Sequence, residues 1–160
     1  MQHFHYTVEK QQDWEHIHLK GPINEDAEVV LPQLEQQLAT QCIFYFDEVS
    51  NINSCGVRAW IHFIRRNSAK HKMIYEGCTP EIVSQINMIP DFKGNATIKS
   101  VLASYHCPSC DTTQLIRFER GVNLPQSADE GVEAVACPNC NNVMENEELE
   151  EEFFAWVDQA

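Results

Sequence analysis

Cys107-Pro108-Ser109-Cys110 and Cys137-Pro138-Asn139-Cys140 form two matched C-x2-C pairs, 26 residues apart. A two-residue gap lets both sulfurs of a tight turn point at one ion. Two such pairs at this distance are the pattern of four thiolates around a tetrahedral Zn²⁺. Proline after the first cysteine of each pair pre-sets a turn φ. Disulfides and a thioredoxin-like redox pair compete with this reading. A redox C-x-x-C is usually single and opens a helix within a βαβ unit. These pairs instead lie among strand-like residues. The expectation is one structural Zn²⁺ held by Cys107, Cys110, Cys137 and Cys140, with no open coordination position.

The rest of the chain has room for an ordinary domain, since it totals 160 residues and is 43% hydrophobic. No run approaches the ~20 apolar residues that cross a bilayer. Residues 1–5 lack the basic and then apolar order of a signal peptide. Besides the four paired cysteines there are Cys42, Cys55 and Cys78. Three leftover thiols fit a reducing compartment, so a cytoplasmic location is expected. A net charge of −13 counts against nucleic-acid binding, which usually needs a basic surface. The charge is uneven. Five of the eleven Lys and Arg residues lie between Arg58 and Lys72, while Glu145, Glu147, Glu148, Glu150, Glu151 and Glu152 crowd the other end.

Periodicity sets the element order. Phe4, Tyr6 and Val8 alternate with polar residues as in a half-buried strand. A second strand follows with Ile17 and Leu19 on one face and Trp14, His16, His18 and Lys20 on the other; Gly21-Pro22 is expected to end it. Asn24 can cap a helix carrying Val30, Leu31, Leu34 and Leu38 at helical spacing, with Pro32 as a kink or a late first turn. Residues 42–46 are continuously apolar and read as a central strand buried on both faces, with residues 47–53 as a polar loop. A helix over residues 55–69 places Val57, Trp60, Ile61 and Ile64 on one stripe and Arg58, His62, Arg65 and Arg66 mainly opposite. A strand over residues 72–78 precedes a helix capped by Thr79, with Pro80 at its first position. Residues 96–105 look like a strand running straight into Cys107, residues 113–119 and 133–136 like ribbon strands, and residues 147–157 like an amphipathic helix burying Leu149, Phe153, Trp156 and Val157. The pattern predicts an α/β layered domain with a mixed sheet, followed by a ribbon and a helix. The corresponding division is residues 1–104, 105–145 and 146–160.

A second informative segment is Ile52-Asn53-Ser54-Cys55-Gly56-Val57. It joins a strand to a helix N-terminus, where backbone N–H groups and the helix dipole favour negative charge. With Leu19-Lys20-Gly21-Pro22-Ile23-Asn24 and the aromatic strand around Phe44, this segment resembles the STAS family, the domain shared by sulfate transporters and anti-sigma-factor antagonists. The resemblance covers about residues 4–104. It implies a STAS-like layered fold and a regulatory, non-enzymatic role. It also implies that Ser54 is the phosphorylation site, and that Asn53, Ser54, Cys55, Val57 and Arg58 dock a kinase-like anti-sigma factor until phosphate releases it. The chain departs from the family at Asn53, Asn24 and Tyr45, where the family has or often has acids. The competing reading of Ser54 is a simple helix cap. A constitutive adaptor, docking through the ribbon and C-terminal helix, is the alternative function; a zinc-ribbon nucleic-acid binder is a third.

Other side chains have open readings. His3, His5, His16 and His18 share one strand face, as a surface metal site, a pH-responsive patch or ordinary exposed histidines. His106 abuts Cys107. Cys55 lies at a helix start, either as a redox-sensitive thiol or as a small packed residue. The basic helix can meet a phosphate, an acidic partner or the chain's own acidic end. No Gly-rich phosphate loop, nucleophile elbow or open His/carboxylate metal site is present in the sequence.

Overall fold

The structure is a computed structural model and describes residues 2–159. The alternating segments pair as the antiparallel strands β1 (His5–Gln11) and β2 (Trp14–Ile23). β3 (Gln41–Ile52), β4 (Lys72–Glu76) and β5 (Thr97–Ile98) add in parallel, giving the order β1-β2-β3-β4-β5. Between them lie α1 (Ala27–Glu35), α2 (Ser54–Asn67), α3 (Pro80–Met88) and the single turn α4 (Pro90–Lys93). From β2 to β5 the order advances in one direction. Parallel crossovers are right-handed, so each crossover helix falls on the same face of the sheet.

That topology decides which face is dry. Ile17, Leu19, Cys42, Phe44, Phe46, Met73 and Tyr75 are buried beneath the helices. His16, His18, Ile43, Tyr45 and Ile74 alternate onto the other face and are only half-buried. The apolar run at residues 42–46 is therefore buried on one face, not two. Tyr45 belongs to a polar aromatic cluster there, stacked on His18 at 4.4 Å and 2.7 Å from His16 Nδ1. Trp60 of α2 organises the dry side. Its Nε1 donates to the Tyr75 hydroxyl at 3.1 Å and to the Phe92 carbonyl at 3.2 Å, among the rings of Phe44, Phe46, Phe63 and Phe92. Each large apolar side chain so buried stabilises the fold by ~1.5–3 kcal/mol.

Several boundaries differ from expectation. β2 continues through Gly21-Pro22 to Ile23. β3 continues through residues 47–52, because this part of β2 supplies partners for Glu48, Val49 and Ile52. The polar residues that suggested a loop fill solvent-facing positions, while Val49 is buried. Asn24 accepts from Asp26 N at 3.0 Å in the turn before α1, and the cap position itself is Asp26. Pro32 is accommodated inside α1.

Beyond Ile98 the chain passes into a second sheet. β6 (Ser100–His106) lies between β7 (Thr113–Glu119) and β8 (Glu145–Asn146), all antiparallel, in the order β7-β6-β8. Residues 133–136 contribute a single bridge, Ala136 to Val143, in place of the expected strand. The C-terminal helix forms in two short pieces, α5 (Glu150–Phe153) and a 3-10 turn at Ala155–Gln159. Phe153, Phe154, Trp156 and Val157 are buried, whereas Leu149 is exposed. This segment packs on α3, where Asn87 Nδ2 donates to the carbonyls of Glu152 and Phe153, and on Phe118 of β7. Among the described residues, it makes no ion pair with the basic helix α2. There Arg65 pairs with Asp91 at 2.6 Å and Arg66 with Glu35 at 2.9 Å.

Arg117 of β7 ties the second sheet to the first. Its guanidinium reaches Asp47 at 2.8 Å, Ser100 Oγ at 3.1 Å and Glu76 at 3.4 Å. Ser100 Oγ donates to Glu76 and accepts from Gly77 N. Among the described residues, no helix is long and apolar enough to cross a membrane.

Candidate functional site

Two places in the molecule assemble chemistry. The first is the cysteine cluster. The sulfurs of Cys107, Cys110, Cys137 and Cys140 lie within 4.8 Å of one another, so the four could hold a metal ion. The pairs of sulfurs at 3.5 Å (Cys107 and Cys140) and 3.6 Å (Cys110 and Cys137) fit the donor set. Four thiolates ~2.3 Å from a central ion stand roughly 3.8 Å apart at the corners of a tetrahedron.

The two cysteine turns are copies. Asp111 N donates to the Cys107 carbonyl at 2.8 Å, and Cys107 N to the Thr112 carbonyl at 2.8 Å. Asn141 N and Cys137 N make the same bonds, at 2.8 and 2.7 Å, to Cys137 and Asn142. In each turn the residue after the second cysteine is left-handed, Asp111 at φ 66° and Asn141 at φ 64°. Asp and Asn are the non-glycine types that best tolerate this conformation. Their place after each C-x2-C was a readable signal that the spacing argument passed over.

Donors surround the sulfurs. Asn139 N and Asn142 Nδ2 point at Cys137 and Cys140 at 3.4 and 3.3 Å, and Thr112 Oγ1 is 3.0 Å from Cys110. The Thr112 hydroxyl, with Asn139, draws the Cys110 thiol down to about 5, and Asn142 lowers that of Cys140, while burial pushes the Cys107 thiol up to about 11. Such bonds favour the thiolate form that ligates metals. His106 stands beside the cluster, with Nδ1 3.3 Å from Thr113 Oγ1 and Nε2 3.3 Å from Asp111.

The remaining histidines do not converge on an ion. His3 faces Asp26, His5 faces the His3 carbonyl, and His16 and His18 flank Tyr45. Among the described residues, the four cysteines are the metal-competent group. Cys42 and Cys78 are core residues whose thiols burial pushes upward, Cys42 to about 12.

The second place is the start of α2. Asn53 is the N-cap: its Oδ1 accepts from Gly56 N at 2.9 Å, and its Nδ2 donates to Glu25 at 2.9 Å. Its own N–H donates to the Ile23 carbonyl at 3.2 Å, which fixes the loop against the end of β2. Gly56 permits this approach, since a Cβ there would lie 1.9 Å from the Ile23 carbonyl oxygen. Ser54 therefore does not cap the helix. It is the first helical residue, is exposed, and its hydroxyl makes no hydrogen bond among the described residues. Cys55 and Val57 are half-buried. Arg58, one turn after Ser54, is exposed and has no carboxylate partner among the described residues. The three positions where the resemblance led one to look for acids have other work: Asn53 caps, Asn24 closes a turn, and Tyr45 lies on the open sheet face.

No family model matches this chain, and no curated protein matches it. Solved structures overlap it in part. The anti-sigma factor antagonist SpoIIAA in its unphosphorylated form is similar over 58% of this chain and 86% of its own, at 16% identity and a TM-score of 0.46. A crystal structure of Mglu is similar over 43% of this chain at 27% identity and a TM-score of 0.39; this chain spans 18% of Mglu's length. Both overlaps fall short of half on the TM scale, so the functional reading rests on the chain's own residues.

Proposed function

We propose that the chain is a non-enzymatic, cytoplasmic regulatory module of the STAS type, built on residues 1–104. A kinase-like anti-sigma factor is its partner. Asn53, Ser54, Cys55, Val57 and Arg58 form the docking surface, and phosphate on Ser54 is the switch. Residues 105–145 form a ribbon around one structural Zn²⁺, and residues 146–160 are its acidic C-terminal extension. The observation that carries the reading is the free Ser54 hydroxyl at the first position of α2, with Asn53 in the cap. A phosphate there meets the N–H groups and positive dipole end of the helix. Arg58 lies four residues on, on the same helix face, where ion pairs form.

Mixing the full chain with candidate kinases and ATP tests the switch by intact mass. Phosphate on the wild type and none on Ser54→Ala is expected, with partner release in Ser54→Asp. No phosphate with the cognate kinase, and unaltered partner binding in Ser54→Asp, would sink it.

The adaptor reading keeps one specific support. Among the described residues, four of the six large exposed apolar side chains, Leu115, Val122, Val143 and Leu149, lie in the ribbon and its C-terminal extension. Deleting that region would expose the core beside α3, so surface substitutions are the better probe. Leu115→Glu and Val143→Glu abolish partner capture if the chain is an adaptor and leave it intact if the α2 loop docks the partner.

A further inference from the structure

β7 is an outer strand of the second sheet, and one half of its outer edge is covered. Glu147 N donates to the Ser104 carbonyl from the β8 side, so even-numbered residues of β6 turn their main-chain groups to β8 and odd-numbered ones to β7. The register pairs Tyr105 with Gln114, Ala103 with Ile116 and Val101 with Phe118. The main-chain groups of Thr113, Leu115, Arg117 and Glu119 therefore point outward. Asn123 takes up those at one end. Its Oδ1 accepts from Glu119 N at 2.8 Å, and its Nδ2 donates to the Arg117 carbonyl at 3.0 Å. Among the described residues, no side chain does the same for Thr113 or Leu115. The Leu115 side chain is itself 50% exposed.

An open edge is a template for another strand, and proteins usually blunt it. The other edges here are blunted. β5 has two residues, and Arg120 donates to its Ile98 carbonyl at 2.9 and 3.1 Å. β8 has two residues, and β1 carries Glu9 and Lys10. β7 is uncharged from Thr113 to Ile116. That stretch decides the partner. A chain with a net charge of −13 meets its own copy at least cost where no carboxylates face each other. Antiparallel pairing about a two-fold axis at Leu115 sets Leu115 against its own counterpart, Gln114 against Ile116 and Thr113 against Arg117. No like charges are opposed, the two exposed leucines cover each other, and outward-facing residues meet outward-facing residues. We infer that the free half of β7 pairs in this way with β7 of a second copy of the chain, as an isologous dimer. Asn123 sets the length of the ladder, because it occupies the Arg117 carbonyl that the second copy's Thr113 N would otherwise reach. The inference is independent of Ser54.

The test is sedimentation equilibrium of the metal-loaded full chain, with amide hydrogen exchange read alongside. A monomer–dimer equilibrium is expected, and exchange at the Leu115 and Arg117 amides should slow as concentration rises. The Gln114 and Ile116 amides face β6 and should be protected at every concentration. Leu115→Glu sets two carboxylates against each other and should weaken the dimer about tenfold at unchanged metal content. Asn123→Ala frees one carbonyl per copy for a further bond and should tighten it about tenfold. Val143→Glu, before β8 at the opposite side of the sheet, should leave the dimer unchanged, which tells this contact from an adaptor surface. Should Asn123→Ala disturb its turn, Leu115→Glu and the exchange data keep the test intact. A monomer up to millimolar concentration, a Leu115 amide indifferent to concentration, or an undiminished dimer in Leu115→Glu overturns the inference. So does equal weakening by Val143→Glu, or a folded Asn123→Ala that associates no more tightly.

Discussion

The cysteine cluster and the α2 loop are built in opposite ways. The cluster is two copies of one short turn, each complete within its own stretch of sequence. The loop is assembled from distant pieces: Asn53 is held by the Ile23 carbonyl and by Glu25, and Gly56 leaves space for β2. A site made of local turns announces itself by spacing. A site made of converging segments does not, because the decisive competition, here between Asn53 and Ser54 for the cap, is settled by what lies across the gap.

The largest blow to this contrast would come from removing the metal. Structural zinc in small modules binds with about 10–16 kcal/mol at neutral pH, comparable to the whole stability of a domain. Stripping the ion with a chelator, or Cys137→Ser, should disorder β7, β8 and the C-terminal segment while the Trp60 core persists. Limited proteolysis and separate Trp60 and Trp156 signals would check it. Unchanged amide exchange in β6–β8 after metal loss would contradict a self-contained ribbon. A smaller effect is expected at the junction. Arg117→Met leaves Glu76 nearly buried without its cation, and the half-exposure of Arg117 limits the loss to about 1–2 kcal/mol. Thermal melts of metal-loaded protein would measure it.

The legible parts of the fold share a cause. The β1–β2 hairpin, the helix α3 capped by Thr79 through Ile82 N with Pro80 behind it, and the C-x2-C turns are each coded by neighbours in sequence. The misread parts depend on partners. Residues 47–52 look like a loop until β2 is seen to pair with them. Residues 42–46 look doubly buried until the strand order puts every crossover helix on one face. Residues 147–157 have helical spacing, but anchoring on α3 and Phe118 splits the helix and leaves Leu149 outside.

Two single substitutions sharpen the loop half of the comparison. Asn53→Ala removes the bond to Gly56 N and the tie to Glu25, and should cost about 1 kcal/mol in chemical denaturation. Ser54→Ala touches neither bond and, at an exposed site, should stay within ~0.5 kcal/mol of wild type. The pair separates structure from regulation at adjacent residues. If Ser54→Ala destabilises as much as Asn53→Ala, the serine is a structural cap and the argument for a free hydroxyl fails. If only Asn53→Ala destabilises, Ser54 is free to be modified without cost to the fold. Ser54→Asp should then leave stability unchanged or raise it, by up to ~1 kcal/mol from the helix dipole. A loss of stability in that variant would mean that the nearby Glu25 carboxylate outweighs both the dipole and Arg58, and a phosphate at Ser54 would face the same repulsion.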